Sequence, residues 1–431
     1  DQQFLIPAPE HCPECRQKQR LRFRNERNLY ARKCDLCKKD ILAIYPPDTS
    51  FPVYCPECWW SDRWHTEGLE YNPQQSIIEH IAQLFQQTPR MSLINRNSEN
   101  STYAHDAEHN KNCYLVFTTV NSEDSLYITD SGNMKNCLDC YWSIRCELCY
   151  DLISSAECYQ TFFSVHCYQV NFSYFCYDSQ NCSNCFGCFH VKHKEYCIFN
   201  EQYSKEEYEK KLADLKEKLK TWQGYKEVWL QVKAFWHKQA HQYATISDGE
   251  NCTGDFIVDS KNCFEAYNVV NCIDGKFLYD CVSIKDAYDC NVCGRAELMY
   301  QCQSCTGQMM LFSSFSFNCT NMYYSDHCFN CTNCFGCVGL RHQEYCIFNQ
   351  QYTKEAYEKM AAQVIQQAIT EKLWGSFFPA QLSPIAKQDC VINFYFPPAD
   401  EVLIEDIIQQ YASDPVVKNS VINCSACQKD F

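Results

Sequence analysis

Cys149, Cys158, Cys167, Cys176 and Cys185 stand nine residues apart in the stretch CYDLISSAECYQTFFSVHCYQVNFSYFCYDSQNCSNCFGC, residues 149–188. An aromatic residue follows each of them. The same step recurs upstream from Cys113 and downstream through Cys263, Cys272, Cys281 and Cys290, through Cys293 and Cys302, and through Cys319, Cys328, Cys337 and Cys346. A repeat this short cannot bury a face alone, so its copies must stack. The expected architecture is a β-solenoid with a cysteine ladder inside. With a coil of roughly 18 residues, cysteines nine apart would face each other across a thin core. Cysteine suits a narrow core because it is small and readily buried. The aromatic residue after each Cys would turn outward.

The ladder is duplicated. NCSNCFGCFHVKHKEYCIFNEQYSKEEYEK (181–210) matches NCTNCFGCVGLRHQEYCIFNQQYTKEAYEK (330–359) at a constant offset of 149. Each copy runs into a Lys/Glu-rich segment with helical character. Ser204 and Glu207 form a capping box at the first. Residues 73–88 carry Ile77, Ile78, Ile81, Leu84 and Phe85 at amphipathic-helix spacing. The expected fold class is therefore mainly β with helices. Its order is a zinc ribbon with a basic segment (1–70), a linker helix (71–92), a solenoid (93–202), a helical segment (203–245), a second solenoid (246–351), a helix with connector (352–390) and a tail (391–431).

Thirty-five cysteines in 431 residues would suggest disulfides in a short secreted chain. This chain is long, and no run of 18 apolar residues marks a membrane span. Its Cys-x-x-Cys pairs point to metal in a reducing compartment, so a cytoplasmic location and no membrane partner are expected. Cys34-x-x-Cys37 and Cys55-x-x-Cys58 are spaced as the two knuckles of a four-thiolate zinc ribbon. Cys12-x-x-Cys15 and Cys424-x-x-Cys427 each lack a neighbouring knuckle. Either they pair with one another, or each belongs to a ribbon interrupted by the chain ends, which is the favoured expectation.

A net charge of −15 argues against blanket nucleic-acid binding. The segment RQKQRLRFRNERNLYARK (16–33) is basic nonetheless. Arg16, Lys18, Arg20, Arg22, Arg24 and Arg27, with Phe23 and Tyr30 among them, suit an RNA or DNA backbone with stacked bases. Trp59, Trp60 and Trp64 would extend that surface. The alternative is a solvated basic face.

His193, Glu195 and Cys197 alternate along a presumed strand, and His342, Glu344 and Cys346 repeat them. On one face they would make a nucleophile with its base and orienter, or a metal corner. The alternative is a closing strand with an inert, inward Cys. CSNCFGC and CFNCTNCFGC have iron–sulfur spacing, but residues three apart on a strand point to opposite faces. Phosphate-loop, dinucleotide, H-E-x-x-H and G-x-S-x-G motifs are absent.

The opening DQQFLIPAPEHCPECRQKQRLRFRNER, with acidic-x-x-Phe, Pro and C-x-x-C-R followed by Arg, resembles a probable zinc-ribbon family. The chain as a whole is similar to large Cys-rich proteins of candidate-phyla-radiation bacteria, through NCFGC…GLRHQEYCIFNQQY. The resemblance implies zinc and this architecture, not a reaction. In that family a first knuckle precedes the acidic-x-x-Phe stretch, and CSACQKDF (424–431) looks like such a knuckle. The reading is a zinc-binding, non-enzymatic scaffold with protein partners on its solenoid faces. Its rivals are a metal-handling or thiol-redox protein and a Cys-His-Glu hydrolase or transferase.

Overall fold

The computed structural model describes residues 6–7, 11–25, 28–132, 135, 143–144, 155–156, 167–263, 266–270, 281–282 and 310–396. Cys140, Cys149, Cys158, Cys272, Cys290, Cys293 and Cys302 of the ladder lie outside these residues, as do Arg27, Cys424 and Cys427. The described residues form a mixed α/β structure with open sheets. Helix α1 (Pro13–Leu21) starts at Pro13. An antiparallel hairpin follows, β1 (Tyr30–Lys33) with β2 (Asp40–Ala43). Then come a one-turn helix α2 (Pro56–Trp59) and α3 (Ile77–Gln87), where Ser76 and Glu79 close a capping box.

From Asn95 to Gln202 the chain builds a ten-stranded sheet in strict sequence order. Successive strands up to Ile198 are parallel, and their partners lie twelve residues apart: Asn95 with Ala107, Ala104 with Val116, Ser155 with Cys167, Ser183 with Glu195. The second half does the same at Gly254–Ala266, Val269–Cys281, Thr320–Thr332 and Thr332–Glu344. The chain thus returns to its starting edge every twelve residues, not every eighteen.

The reason is a three-residue unit. His109, Asn112, Leu115, Thr118, Asn121, Asp124 and Tyr127 all have left-handed φ, between 49° and 60°. The residue after each is buried: Asn110, Cys113, Val116, Thr119, Ser122, Ser125 and Ile128. One left-handed residue between extended neighbours bends the chain and aims the next side chain inward. Four such bends fill one twelve-residue return. A left-handed φ costs a non-glycine residue about 1 kcal/mol or more, least for Asn and Asp. Part of that is recovered between layers, where Asn100 donates to Asn112 and Asn112 to Asp124, both at 2.9 Å. Gly187 and Gly336 occupy this position at φ 64°, where a Cβ would meet the rings of Phe199 and Phe348.

Many of the inward residues are Cys or Ser, small side chains that reach backbone groups turned toward the interior. Cys182 Sγ lies 3.1 Å from Gln180 O and 3.4 Å from Val191 O. Cys319, Cys328 and Cys337 likewise reach the carbonyls of Cys328, Cys337 and Cys346, at 3.5, 3.6 and 3.5 Å. A thiol therefore finds an acceptor nine residues ahead. The amide twelve ahead donates back to the same position: Cys331 N to Cys319 Sγ at 3.3 Å, and Cys185 N to Ser173 Oγ at 3.0 Å. The nine-residue spacing joins neighbouring sides of the coil in successive layers and does not span it. Residues three apart all face inward, contrary to the strand rule, because a left-handed residue separates each pair.

Of the described aromatic residues after the cysteines, Tyr114 is exposed, while Phe186, Phe189, Phe329 and Phe335 lie outside this core and are covered. Phe186 and Ile198 pack under α4 (Lys205–Leu219) and α5 (Trp222–Trp236), through Tyr208, Val228, Val232 and Trp236. The capping box at Ser204 and Glu207 starts α4. In the second half, Phe335, Ile347 and Phe348 pack under α3, α6 (Lys354–Thr370) and Phe377–Phe378. The N-terminal segment thus lies on the second half. Arg90 and Asp326, each 1% exposed, form an ion pair at 2.7 Å. Met91 N donates to His327 Nε2 at 3.2 Å, and Arg341 donates to Trp59 O and Ser61 O.

Candidate metal centre

The hairpin of β1 and β2 turns at Cys34–Cys37. Cys34 N donates to Lys39 O at 2.8 Å, and Lys38 takes a left-handed φ of 63°. The second knuckle is the start of α2. Cys55 caps the helix with extended backbone, Pro56 occupies its first turn, and Cys58 follows on the same turn. The two knuckles are locked together through Asp35. Its Oδ2 accepts from Val53 N at 2.7 Å and from Arg32 Nη2 at 3.0 Å.

All four sulfurs lie within 4.8 Å of one another, with Cys37 Sγ and Cys55 Sγ at 3.8 Å. Four thiolates about one ion at bonds of about 2.3 Å require edges of about 3.8 Å. These four thiols are therefore a group suited to a metal ion. Among the described residues no other group of three or more His, Cys, Asp or Glu ligand atoms is gathered this closely.

The surroundings favour the thiolate at Cys34, whereas burial raises the thiols of Cys55 and Cys58. Cys34 Sγ accepts from Cys55 N at 3.3 Å and from Cys37 N at 3.5 Å. Burial pushes its thiol up, but these N–H groups bring it down to about 7. Arg63 Nη2 donates to Cys58 Sγ at 2.8 Å and offsets part of the charge that four thiolates would carry. Sequence reasoning found the four cysteines but not Asp35, Arg32 or Arg63. Their only sequence signal is proximity to a knuckle. Partners that orient ligands typically change metal affinity 10–100-fold when removed. Asp35→Ala is expected to weaken metal binding in that range in a competition titration with a chelator, with all four thiols retained. An unchanged affinity would remove Asp35 from this role.

The other expected sites fare differently. Cys12 and Cys15 are exposed at the start of α1. Arg16 is buried, and Arg20 and Arg24 are each 1% exposed, so these three do not present a basic face. Arg22 is exposed, and Lys18 is half-buried and paired with Glu14. Trp59 and Trp64 are buried, with Arg341 over both rings, and only Trp60 retains an open side.

The His-Glu-Cys triplets do not converge. His193 and Glu195 are exposed while Cys197 is buried, and His342, Glu344 and Cys346 repeat this. Tyr196 and Tyr345, with φ of 56° and 57°, lie between Glu and Cys and turn the thiol inward. The expected common face does not exist for this reason. Burial raises the Cys197 thiol. Donation to Cys334, together with burial, raises that of Cys346. Cys331 goes the other way, because the thiols of Cys319 and Cys328 donate to it.

No protein-family model, curated protein or solved structure matches the chain. Among the described residues no helix is long and apolar enough to cross a membrane.

Proposed function

We propose that this chain is a zinc-binding interaction scaffold of the cytoplasm, in which a ribbon is fixed to one of two short β-solenoids. The observation that carries the reading is the four-thiol group of Cys34, Cys37, Cys55 and Cys58. Its all-sulfur ligand set, closed geometry and knuckle spacing suit structural zinc. The resemblance to Cys-rich zinc-ribbon proteins agrees with it. The twelve-residue parallel register supports the solenoid, whose regular outer faces serve partner proteins as stacked repeats do. Contact with RNA or DNA through the basic segment rests on Arg22 and Lys18, since Arg16, Arg20 and Arg24 are buried. Burial of all the ladder thiols whose burial is described, except the partly buried Cys252, favours packing over metal storage or thiol exchange.

Elemental analysis of anaerobically purified protein tests the metal. The expected result is a colourless sample containing zinc, with one ion per chain lost when Cys37 and Cys55 are both replaced by Ser. Iron with visible absorbance, or no loss in that variant, sinks the zinc reading. A thiol-reagent titration tests the ladder. Few thiols should react in the native protein, and the count should jump on denaturation. Similar counts in both states would restore the thiol-exchange reading.

A further inference from the structure

The duplication builds one small surface twice. Each half closes its last parallel strand with a two-residue hairpin turn, Phe199–Asn200 in the first and Phe348–Asn349 in the second. The flanking pairs correspond, Ile198 with Glu201 and Ile347 with Gln350. The φ values agree, 49° and 67° in the first turn and 49° and 65° in the second. Two left-handed residues in succession are what such a turn requires. Asn200 accepts from Phe189 N at 2.8 Å and donates to Phe189 O at 2.9 Å. Asn349 makes the same two bonds with Val338, both at 2.8 Å.

The second turn carries a segment of the N-terminal region. Leu69 N donates to Phe348 O at 2.8 Å. Gly68 rests on the peptide joining Asn349 to Gln350, so closely that a Cβ would come within 2.6 Å of Gln350 N and Cα. The Tyr71 ring stacks on Phe348, with centroids 6.3 Å apart. Under this cover Phe348 is 0% exposed and Asn349 is 8% exposed. In the first half, Phe235 covers one side of the Phe199 ring at 5.3 Å. No described residue donates to Phe199 O, and Asn200 is exposed. An open carbonyl beside a bare peptide offers a docking point to another backbone.

The twin shows what fits. The residue over the peptide has no Cβ, the next is aliphatic and gives its N–H to the carbonyl, and an aromatic residue follows two places on. Of the 12 glycines in the chain, only Gly68 and Gly339 precede an aliphatic residue. Gly339 belongs to the second solenoid, where Leu340 is 8% exposed. Each chain therefore has one suitable segment and two turns. Copies that exchange segments with one another always leave as many turns uncovered as covered. Charge separates the two turns as well. Glu70 lies near Tyr352, whose hydroxyl is raised by burial and then by that charge. In the first half Tyr203 takes the place of Tyr352 and donates to Glu201, which stands where the second half has Gln350. A basic residue suits that position better than Glu70 would.

We propose that the Phe199–Asn200 turn is a docking site for an extended segment of a partner protein, of the form Gly–aliphatic–basic–aromatic. The glycine seats on the Asn200–Glu201 peptide, and the next N–H donates to Phe199 O. The proposal gives the interaction-scaffold reading a place and a partner class. It rests on that reading but not on zinc.

The probe is a fluorescent peptide of residues 65–72 with Glu70→Lys, titrated into the 431-residue protein and followed by anisotropy. Saturable binding is expected. Adding Gly68→Ala to the peptide should weaken binding by about tenfold or more, because the methyl group meets backbone. Glu201→Lys in the protein should reverse the charge preference, so that the peptide with its natural Glu70 binds better. Glu201 is exposed, and circular dichroism should show an unchanged fold. A peptide with a benzophenone in place of the Tyr71 side chain should cross-link to residues around 199–203. No saturable binding up to about 1 mM peptide, equal binding of the Gly68→Ala form, or an unchanged charge preference overturns the proposal. Cross-links confined to residues 348–352 also overturn it, since they show exchange with the chain's own segment. Elemental analysis reads the zinc separately, so failure of the metal reading and failure of this site are distinguishable.

Discussion

Replacing Asp326 with Ala should cost about 3–5 kcal/mol of stability, among the largest effects available to a single substitution here. Asp326 and Arg90 are each 1% exposed and 2.7 Å apart. Removing the carboxylate leaves a guanidinium in the interior between the rings of Phe51 and Phe85, shielded from solvent. The pair as a whole is worth much less than that, because burying two charges costs nearly what their attraction returns. The double change Arg90→Met with Asp326→Leu should therefore recover most of the loss. Denaturant unfolding of the parent, the single variant and the double variant provides the check. A single variant within about 1 kcal/mol of the parent would show that the pair does not form in solution.

Acid should unfold the protein steeply, beginning below about pH 6.5. Two buried histidines lie near each other, and His327 sits beside this ion pair. His105 Nδ1 accepts from Ile94 N at 3.1 Å, and His327 Nε2 accepts from Met91 N at 3.2 Å. Burial, reinforced by Arg24, pushes His105 down to about 3. Burial, with Arg90 and His105 nearby, pushes His327 well below its ordinary value. In the unfolded chain both titrate near 6.5. Above that pH neither state binds the protons, and the full stability is present. Below it the unfolded chain takes up two protons that the folded chain refuses. Stability then falls with pH, until the folded values are reached. The slope is about 1.4 kcal/mol per pH unit for each histidine, or about 2.7 for the two. Stability measured from pH 6.5 to 4.5 should show this slope, and His105→Gln should reduce it by about one proton. An equal slope in the variant would mean that His105 is protonated in the folded protein.

These two results concern residues the sequence alone does not single out. Arg90 and Asp326 are 236 positions apart, and each reads as an ordinary surface charge until the chain folds. The three buried arginines show the same limit. Arg16, Arg20 and Arg24 belong to a segment whose composition suggests an exposed basic face, yet tertiary packing encloses them. Local signals served better. The apolar spacing from Ile77 to Phe85 and the capping box at Ser204 and Glu207 both mark real helices. The knuckles at 34–37 and 55–58 meet as their spacing requires. The ladder was half legible. Nine residues was the visible interval because Cys is conspicuous, but the underlying interval is three. It runs through Ser101, Ala104, Ala107, Asn110, Cys113, Val116, Thr119, Ser122, Ser125 and Ile128, all buried. Those residue types differ too much to look like a repeat. The two-residue alternation of ordinary strands also hides it, because that rule assumes no left-handed residues.

Where the described strands return every twelve residues, the length of a sheet is a counted quantity. Adding one return raises the stack by one strand spacing, about 4.8 Å, and leaves every existing pair in register. Adding a single residue instead would turn every later side chain from the interior to the surface, unless a local irregularity absorbs it. The pairing of Ile246 with Ile257, eleven residues apart, is such an irregularity, and it sits at the first layer of its sheet, where nothing before it is displaced. Natural variation and deliberate redesign are therefore held to the same ruler. The distance between whatever binds at the two ends of a stack can change only in whole layers.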